Sequence, residues 1–295
     1  MMKTKRVTPK TSQRKTGVSK SGAVVLPDGP STPSHRLLDY SFGISGMRGI
    51  GKTTTSSKWG NEQKGSNGPI HMMFEPGGKS LAIRQIPRPE DNYILDWEKF
   101  GQAIDAIGER IKEDPDYCNA IILDTGYMAY ERCFEYILKK HNITDPRDKA
   151  WGSTWKIIEA EFRDMHFRIL HELNVGLVVI THTEIKEITQ KIGGVVTVVG
   201  ERLRMQLSGQ ARKLYNALLD VEGYIDINHV MRIRPSEDVE AKQRISGHFL
   251  FTDGTPIELL SLGRDEDEGY KSIVAGFNNE LARRPKGGTK KKSKG

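Results

Sequence analysis

Short, mostly apolar runs recur along the chain. Four of them are predicted strands: "LLDYSFGI" (37–44), "IHMMF" (70–74), "AIILD" (120–124) and "GLVVIT" (176–181). Because these runs are nearly continuous and do not alternate apolar with polar residues, they are typical of strands covered on both faces of a parallel sheet. Loops of glycine, proline and polar residues, such as "NEQKGSNGP" (61–69), separate them.

Segments with helical spacing lie between the strands. Apolar residues spaced three and four apart predict a helix over 97–111 and a second over 154–173. Further helices are expected at about 127–140 and 208–219. Strands that alternate with helices in this way predict an α/β fold with a mostly parallel central sheet flanked by helices. After residue 183 the chain changes to short β elements, which are "VVTVV", "INHVMRIRP", "HFLF" and "PIELL".

The segment after the first predicted strand carries the most specific pattern. "GMRGIGKT" (46–53) matches G-x-x-x-x-G-K-[ST], in which glycines let backbone N–H groups surround a triphosphate. In this interpretation Lys52 reaches the β- and γ-phosphates and assists catalysis, and the Thr53 hydroxyl ligates Mg²⁺. The predicted ATP-binding residues are Gly46, Met47, Arg48, Gly49, Ile50, Gly51, Lys52, Thr53 and Thr54.

Two carboxylates end neighbouring predicted strands. Asp124 ends "NAIILD" and is expected to hold Mg²⁺ directly or through water, with helix capping as the alternative role. Many P-loop ATPases place a glutamate directly after this aspartate, but Thr125 occupies that position here. Glu75, which follows "IHMMF", is therefore the predicted general base, and an exposed turn residue is the alternative interpretation.

The strand "GLVVIT" ends in polar residues. Thr181 or His182 there could contact the γ-phosphate or its attacking water and report hydrolysis to the following loop. A histidine held in place for structural reasons is the competing interpretation of His182.

In their order, these motifs resemble those of the RecA-like core ATPases, and most closely the phage-encoded RecA-like nucleotide-binding proteins implicated in single-strand annealing. The resemblance covers roughly residues 37–250. It rests on the P-loop, the glutamate of "FEPGG", the aspartate of "IILDTG" and the polar end of "VVITHTE". It implies a RecA-like P-loop NTPase core with extra C-terminal β elements that binds ATP and Mg²⁺ and hydrolyses ATP.

The resemblance also implies roles for later residues. "VEAKQRISGHF" is similar to a family segment with two basic residues, here Lys242 and Arg244, which reach the γ-phosphate of a neighbouring subunit in RecA-like rings or filaments. The family has a DNA-contacting loop at the position of residues 184–200, where Lys186 and Lys191 are the candidates and a plain β-hairpin is the alternative. The implied partners are single-stranded DNA, further copies of the chain with ATP at the subunit interfaces, and other phage replication or recombination proteins.

The sequence departs from RecA recombinases at both ends. It shows no clear N-terminal oligomerisation strand and no large C-terminal domain of the recombinase type. Strand exchange by this protein alone is therefore not expected.

Charge is distributed unevenly. Residues 1–20 and 283–295 each hold seven Lys or Arg and no acid, so the part between them is net negative although the whole chain carries +7. These tails are predicted to be disordered alone, and they either tether the protein to nucleic acid or only aid its solubility. The predicted organisation is a basic tail and linker (1–35), an ATPase domain (36–265) and a C-terminal segment with a basic tail (266–295).

The remaining composition favours a cytoplasmic protein, here a phage protein in its host. The two cysteines are too few for a disulfide framework, and no apolar stretch has the roughly 20 residues that span a bilayer. Two other functions stay open. One is a P-loop kinase of a small molecule, with "PRPEDNY" or residues 184–204 as its lid. The other is an ATP-switched nucleic-acid-binding module without significant turnover.

Overall fold

The computed structural model describes residues 29–30, 32–61, 65, 67–91, 93–147, 153–263 and 266–283. The predictions made for the basic tails fall outside these residues, apart from Arg283.

Eleven strands and six α-helices are present in the described residues. The strands are β1 (Phe42–Gly46), β2 (Ile70–Met73), β3 (Gln85–Ile86), β4 (Ala120–Asp124), β5 (Gly176–Thr181), β6 (Thr183–Ile192), β7 (Val195–Met205), β8 (Val221–Ile225), β9 (Val230–Arg232), β10 (Lys242–Gln243) and β11 (Leu259–Ser261). The helices are α1 (Lys52–Ser56), α2 (Trp97–Glu113), α3 (Gly126–Lys140), α4 (Ser153–Phe167), α5 (Gly209–Leu218) and α6 (Glu266–Phe277). A 3₁₀ turn (Leu37–Asp39) precedes β1, and a π-helical turn (Arg168–Glu172) continues α4.

Local sequence explains where several helices begin. Asp96, Thr125 and Ser208 precede α2, α3 and α5, and each side chain accepts a hydrogen bond from the amide three residues further on. Such N-caps satisfy an amide that has no partner inside the helix.

The strands form one large sheet in the order β11-β9-β8-β1-β5-β4-β2-β3, with β10 paired to β8. The six strands from β8 to β3 run parallel, whereas β9, β10 and β11 pair antiparallel. β6 and β7 form a separate two-stranded hairpin. The predicted α/β fold, with its mostly parallel central sheet flanked by helices and its additional C-terminal β elements, is confirmed.

Buried side chains fill both faces of the sheet. One apolar cluster joins the sheet to α2, α3, α4 and α5, and the other lies beside α1 and α6. None of the helices in the described ranges is long and apolar enough to cross a bilayer.

The first predicted strand begins later than expected. Leu37 and Leu38 are buried in a 3₁₀ turn, and β1 starts only at Phe42. The intervening Ser41 is held by a distant loop, because its hydroxyl donates to the carbonyl oxygen of Leu218 at 2.6 Å and its amide donates to Asp220 at 3.0 Å. A tertiary contact therefore overrides the apolar pattern at this point.

Two further elements differ from the predictions, and one agrees with a stated alternative. The α-helix predicted to reach residue 173 ends at Phe167 and continues as the π-helical turn. "HFLF" forms no strand and contributes only an isolated bridge between Leu250 and Pro256. Residues 184–200 form part of the β6–β7 hairpin, in agreement with the predicted hairpin alternative, while DNA contact by this segment stays a prediction.

Helix α6 was not predicted. Its Tyr270, Ile273 and Phe277 are buried on the same side of the sheet as α1, and the Tyr270 hydroxyl accepts a hydrogen bond from the amide of Gly60 at 2.7 Å. α6 therefore packs into the core that supports β1, while the boundaries predicted at residues 35 and 265 stay predictions.

Candidate nucleotide-binding site

The candidate residues meet at one edge of the sheet. β1, β5, β4 and β2 are adjacent and parallel, with Ser45 opposite Thr181 and Met73 opposite Asp124. Their carboxyl ends therefore point the same way, and loops that follow these ends form the usual ligand crevice of a parallel α/β sheet. The P-loop, Glu75, Asp124 and His182 all lie at this edge.

The loop between β1 and α1 requires glycine at two points. A Cβ atom on Gly46 would lie 2.8 Å from the carbonyl oxygen of Ile225 in the adjacent strand. Gly51, which precedes α1, has a φ of +87°, a left-handed conformation that favours glycine. The spacing in "GMRGIGKT" thus corresponds to a close backbone approach followed by a turn into a helix.

Lys52 is buried at the start of α1, with 6% of its surface exposed. Its Nζ donates to the carbonyl oxygens of Gly46 at 2.9 Å and Met47 at 2.7 Å. Burial lowers the pKa of Lys52 to about 8, although the carboxylates of Asp124 and Glu75 act to raise it. The lysine is thus held inside the loop beside two acidic groups without a close carboxylate contact of its own.

Thr53 connects the loop to β4. Its hydroxyl donates to Asp124 Oδ2 at 2.7 Å. Burial raises the pKa of Asp124, while the hydrogen bond from Thr53 and the charge of Lys52 act to lower it. A hydroxyl and a carboxylate in contact are suitable oxygen ligands for Mg²⁺, which takes its other ligands from water and substrate phosphates. In the described part of the chain, no group of three or more acidic, histidine or cysteine side chains could hold a metal.

Glu75 lies two residues beyond the end of β2, and both of its carboxylate oxygens have partners. The hydroxyl of Thr125 donates to Oε1 at 2.8 Å, and His182 Nε2 lies 3.4 Å from Oε2. The sequence predictions placed Glu75 and His182 at this edge but gave Thr125 no role. The only signal for Thr125 was its position, directly after Asp124, where many P-loop ATPases have a glutamate.

Thr181 and His182 differ in what they face. Thr181 ends β5, is fully buried, and its hydroxyl has no hydrogen-bond partner in the described structure. His182 is half-buried and faces Glu75. The two residues therefore have distinct environments although they are adjacent in sequence.

A family model described as an AAA domain, AAA_24, matches residues 39–245, which is well over half of the chain. The protein belongs to this AAA domain family. Among solved structures, the chain is similar to a KaiC-like protein from the hyperthermophilic archaeon Pyrococcus horikoshii OT3, with 13% identity and a TM-score of 0.35 over 71% of this chain and 83% of that one. No curated protein matches the sequence. The family match agrees with the predicted P-loop ATPase family, whereas the phage and annealing aspects of the resemblance remain predictions.

Two basic residues of this AAA domain lie away from the P-loop. Lys242 in β10 lies opposite Glu222, near the start of β8. The P-loop follows the end of β1, which runs parallel to β8, and it therefore lies at the other end of these strands. Lys242 donates to the carbonyl oxygen of Asn216 at 2.7 Å and contacts Glu222 at 3.3 Å. Arg244 donates to the carbonyl oxygens of Ala217 and Leu219, at 2.8 and 2.7 Å. Both side chains therefore bind the C-terminal end of α5.

The β6–β7 hairpin begins directly after His182. At its base Glu184 accepts hydrogen bonds from Arg204 at 2.7 Å and Arg212 at 2.6 Å, which fixes the hairpin to α5. Lys186 and Lys191 are exposed along β6. Four valines near its tip are also at least half exposed: Val195, Val196, Val198 and Val199.

A pocket of about 490 Å³ lies on the far side of Glu75 from β4. Its walls include Pro87, Tyr93 and Ile94, which belong to the "PRPEDNY" segment and the residue after it, together with Lys79 and the buried Gln85. The pocket therefore opens beside the carboxylate predicted to be the general base.

The lowered pKa of Lys52 predicts a pH-dependent stability. Below pH 8 both the folded and unfolded states carry the charge, and the cost of burying it is largest. Between about pH 8 and the ordinary lysine pKa of 10.5 the unfolded state binds more protons, so stability rises with pH. From pH 7 to pH 10 without nucleotide, the difference in free energy of unfolding between wild type and Lys52→Met should shift by about 1–3 kcal/mol in favour of wild type.

Urea denaturation at several pH values measures this shift. Lys112→Met is the matched control, because the Lys112 side chain is 72% exposed on α2 and its difference from wild type should not change with pH. If the difference in free energy of unfolding between wild type and Lys52→Met is also independent of pH in this range, the burial of a charged Lys52 is contradicted.

Proposed function

We propose that this AAA domain protein is an Mg²⁺-dependent ATPase that acts on single-stranded DNA in phage recombination or annealing. The observation that carries the ATPase part is the meeting of three elements at one sheet edge. They are a buried lysine in a P-loop, a Thr53–Asp124 pair suited to a metal, and a glutamate that accepts a hydrogen bond from Thr125 and contacts His182.

Lys52 and the loop bind the phosphates in this proposal. The ammonium group now donates to two loop carbonyls, and a phosphate oxygen gives it a charged acceptor in place of these neutral ones. A charged phosphate attracts the ammonium by a direct charge–charge interaction that a neutral carbonyl does not provide, and the buried position of Lys52 limits competition from water. Nucleotide binding therefore relieves the cost of keeping this lysine charged and buried.

Thr53 and Asp124 would hold Mg²⁺. The bound cation would supply positive charge that favours phosphoryl transfer. Asp124 carries a raised pKa caused by burial, and a bound cation would favour its ionised form.

Glu75 acts as the general base that accepts a proton from the attacking water. Many P-loop ATPases have the catalytic glutamate next to the strand-end aspartate. In this chain Glu75, just after β2, would take over that role. Thr181 and His182 sense the γ-phosphate. His182 can connect this group to Glu75, since the two side chains already contact each other.

The protein assembles as a homo-oligomer with ATP at the subunit interfaces. Lys242 and Arg244 lie at the opposite sheet edge from the P-loop of their own subunit, so they can reach a γ-phosphate only in a neighbour. Arg244 is the better candidate, because 46% of its side chain is exposed, whereas that of Lys242 is 21% exposed and contacts Glu222. An added cation at this point would stabilise the phosphoryl charge.

The DNA role rests on the resemblance, on the basic tails and on the β6–β7 hairpin. The hairpin follows the proposed sensor residues directly and exposes Lys186 and Lys191. It lacks aromatic side chains on which bases could stack, so its contribution would come from phosphate contacts.

One observation favours a small-molecule kinase as the second candidate. The pocket beside Glu75 has the volume of a small-molecule site and is walled partly by "PRPEDNY", the segment proposed as a kinase lid. Glu75 would then accept a proton from an acceptor hydroxyl instead of from water. Consumption of ATP only in the presence of an added metabolite would favour this function. ATP binding without turnover would favour the switch module.

Hydrolysis by the purified full-length protein tests the proposal. Wild type should hydrolyse ATP when Mg²⁺ is present. Lys52→Ala should lose ATP binding, because the phosphates lose their buried cation. Glu75→Gln should bind ATP normally but turn it over at least about 100-fold more slowly, because an amide cannot accept the proton. Kd is measured with a fluorescent ATP analogue and kcat by phosphate release. Unchanged turnover in Glu75→Gln would remove it from the mechanism.

Binding to an oligothymidine strand tests the DNA role. The strand should stimulate hydrolysis, and Lys186→Ala combined with Lys191→Ala should weaken binding and reduce the slope of log K against log salt by about 1.4, the value for two lost phosphate contacts. Lys112→Ala combined with Lys139→Ala is the matched control, because these lysines are exposed on α2 and α3. Hydrolysis indifferent to DNA, or equal slopes for the two double variants, would argue against hairpin contact.

A further inference from the structure

We propose that Thr125 is a positioning residue that fixes the carboxylate of Glu75 for proton abstraction. This inference rests on the proposed function, in which Glu75 is the general base. It concerns a residue to which neither the sequence pattern nor the family match assigns a role.

The hydroxyl of Thr125 has two partners, and together they set the direction of its proton. The amide of Met128 donates to this oxygen at 3.4 Å as part of the N-cap of α3. The single hydroxyl proton is then free to point at Glu75 Oε1, 2.8 Å away. The cap thus turns Thr125 into an oriented donor, because an oxygen that accepts from the helix amide donates on its other side.

The backbone around this contact is also fixed. The amide of Phe74 donates to the carbonyl oxygen of Asp124 at 2.8 Å, which joins the residues just before Glu75 and Thr125 across neighbouring strands. Thr125 itself is only 2% exposed. The Thr125 hydroxyl therefore lies on a rigid element. Glu75 precedes the exposed Pro76 and Gly77, and the Thr125 hydroxyl orients its carboxylate.

His182 alone is a weaker restraint. Its ring nitrogen lies 3.4 Å from the other carboxylate oxygen, and whether it donates depends on its tautomer. The Thr125 contact is shorter and comes from a hydroxyl that stays neutral at all working pH values. Two contacts on opposite oxygens hold the carboxylate plane, and the loss of the stronger one allows the side chain to leave its productive position.

The residue type at position 125 is consistent with this role. A glutamate at this position would itself be a base, but threonine cannot serve as one at neutral pH. Threonine instead retains two properties that the contact needs, a side chain short enough to cap α3 and a hydroxyl that can donate. Valine has the same shape without the hydroxyl, and serine keeps the hydroxyl without the methyl group.

Steady-state kinetics of the full-length protein test the inference. Thr125→Val should lower kcat by about 10- to 100-fold, the cost typical of a misplaced catalytic group, and change KM for ATP by less than about threefold. Thr125→Ser should keep kcat within about threefold of wild type. A purely structural role of Thr125 would not produce a loss confined to kcat that serine rescues.

Ser208→Ala is the matched control for the lost helix cap. Ser208 caps α5 through an equivalent 3.4 Å contact to the amide of Ala211, and it should retain wild-type kcat. Should Thr125→Val fail to bind ATP, the pair Thr125→Ser and Thr125→Ala decides by the same criterion, because these two differ by one oxygen atom.

The outcomes separate this inference from the proposed function. If Glu75→Gln loses turnover and Thr125→Val keeps it, the positioning role is wrong and the ATPase proposal stands. If Glu75→Gln keeps wild-type turnover, the general-base assignment is wrong and the role of Thr125 falls with it.

Discussion

The shared direction of β1, β5, β4 and β2 is the constraint on which the candidate site depends. These strands contribute the P-loop, Thr181 with His182, Asp124 and Glu75, which are separated by up to 136 positions in the sequence between Gly46 and His182. Parallel pairing brings their carboxyl ends to one edge, and the 2.7 Å contact between Thr53 and Asp124 joins the loop to a strand that is not its neighbour in the sheet. Without this strand arrangement, the P-loop, Asp124 and Glu75 would not lie close together.

Burial then determines the electrostatics of the edge. Lys52 and Asp124 are both largely removed from water, and burial disfavours the charged form of each, which lowers one pKa and raises the other. Neither charge is neutralised by a direct ion pair between them, since Lys52 bonds to carbonyls and Asp124 to a hydroxyl. Binding of phosphates to the lysine and of a cation to the aspartate would stabilise the charged form of both buried groups. For this reason we propose that the site binds Mg²⁺ and ATP.

Much of the fold was predictable from the sequence. Continuous apolar runs between loops indicate β2, β4 and β5, and a clear apolar stripe with helical spacing indicates α2. The P-loop was predictable because the spacing of Gly46 and Gly51 and the following Lys52 and Thr53 form a short local sequence pattern. The start of β1 was not, since Ser41 is held by a loop that is distant in sequence. The spacing of Tyr270, Ile273 and Phe277 is a signal for α6, but it is short and follows a strongly charged segment. The contact between Thr125 and Glu75 spans 50 positions and has no local pattern.

The most direct test of the account is the effect of Mg²⁺ on the affinity for a non-hydrolysable ATP analogue, measured by calorimetry with wild type and Asp124→Asn. Asparagine keeps the size of Asp124 but removes the charge that a cation needs. The account predicts that Mg²⁺ tightens binding to wild type by about tenfold or more, a gain of about 1.4 kcal/mol, and that Asp124→Asn loses this gain while its metal-free affinity is retained. An undiminished Mg²⁺ effect in Asp124→Asn would contradict the assignment of this edge as the metal–nucleotide site.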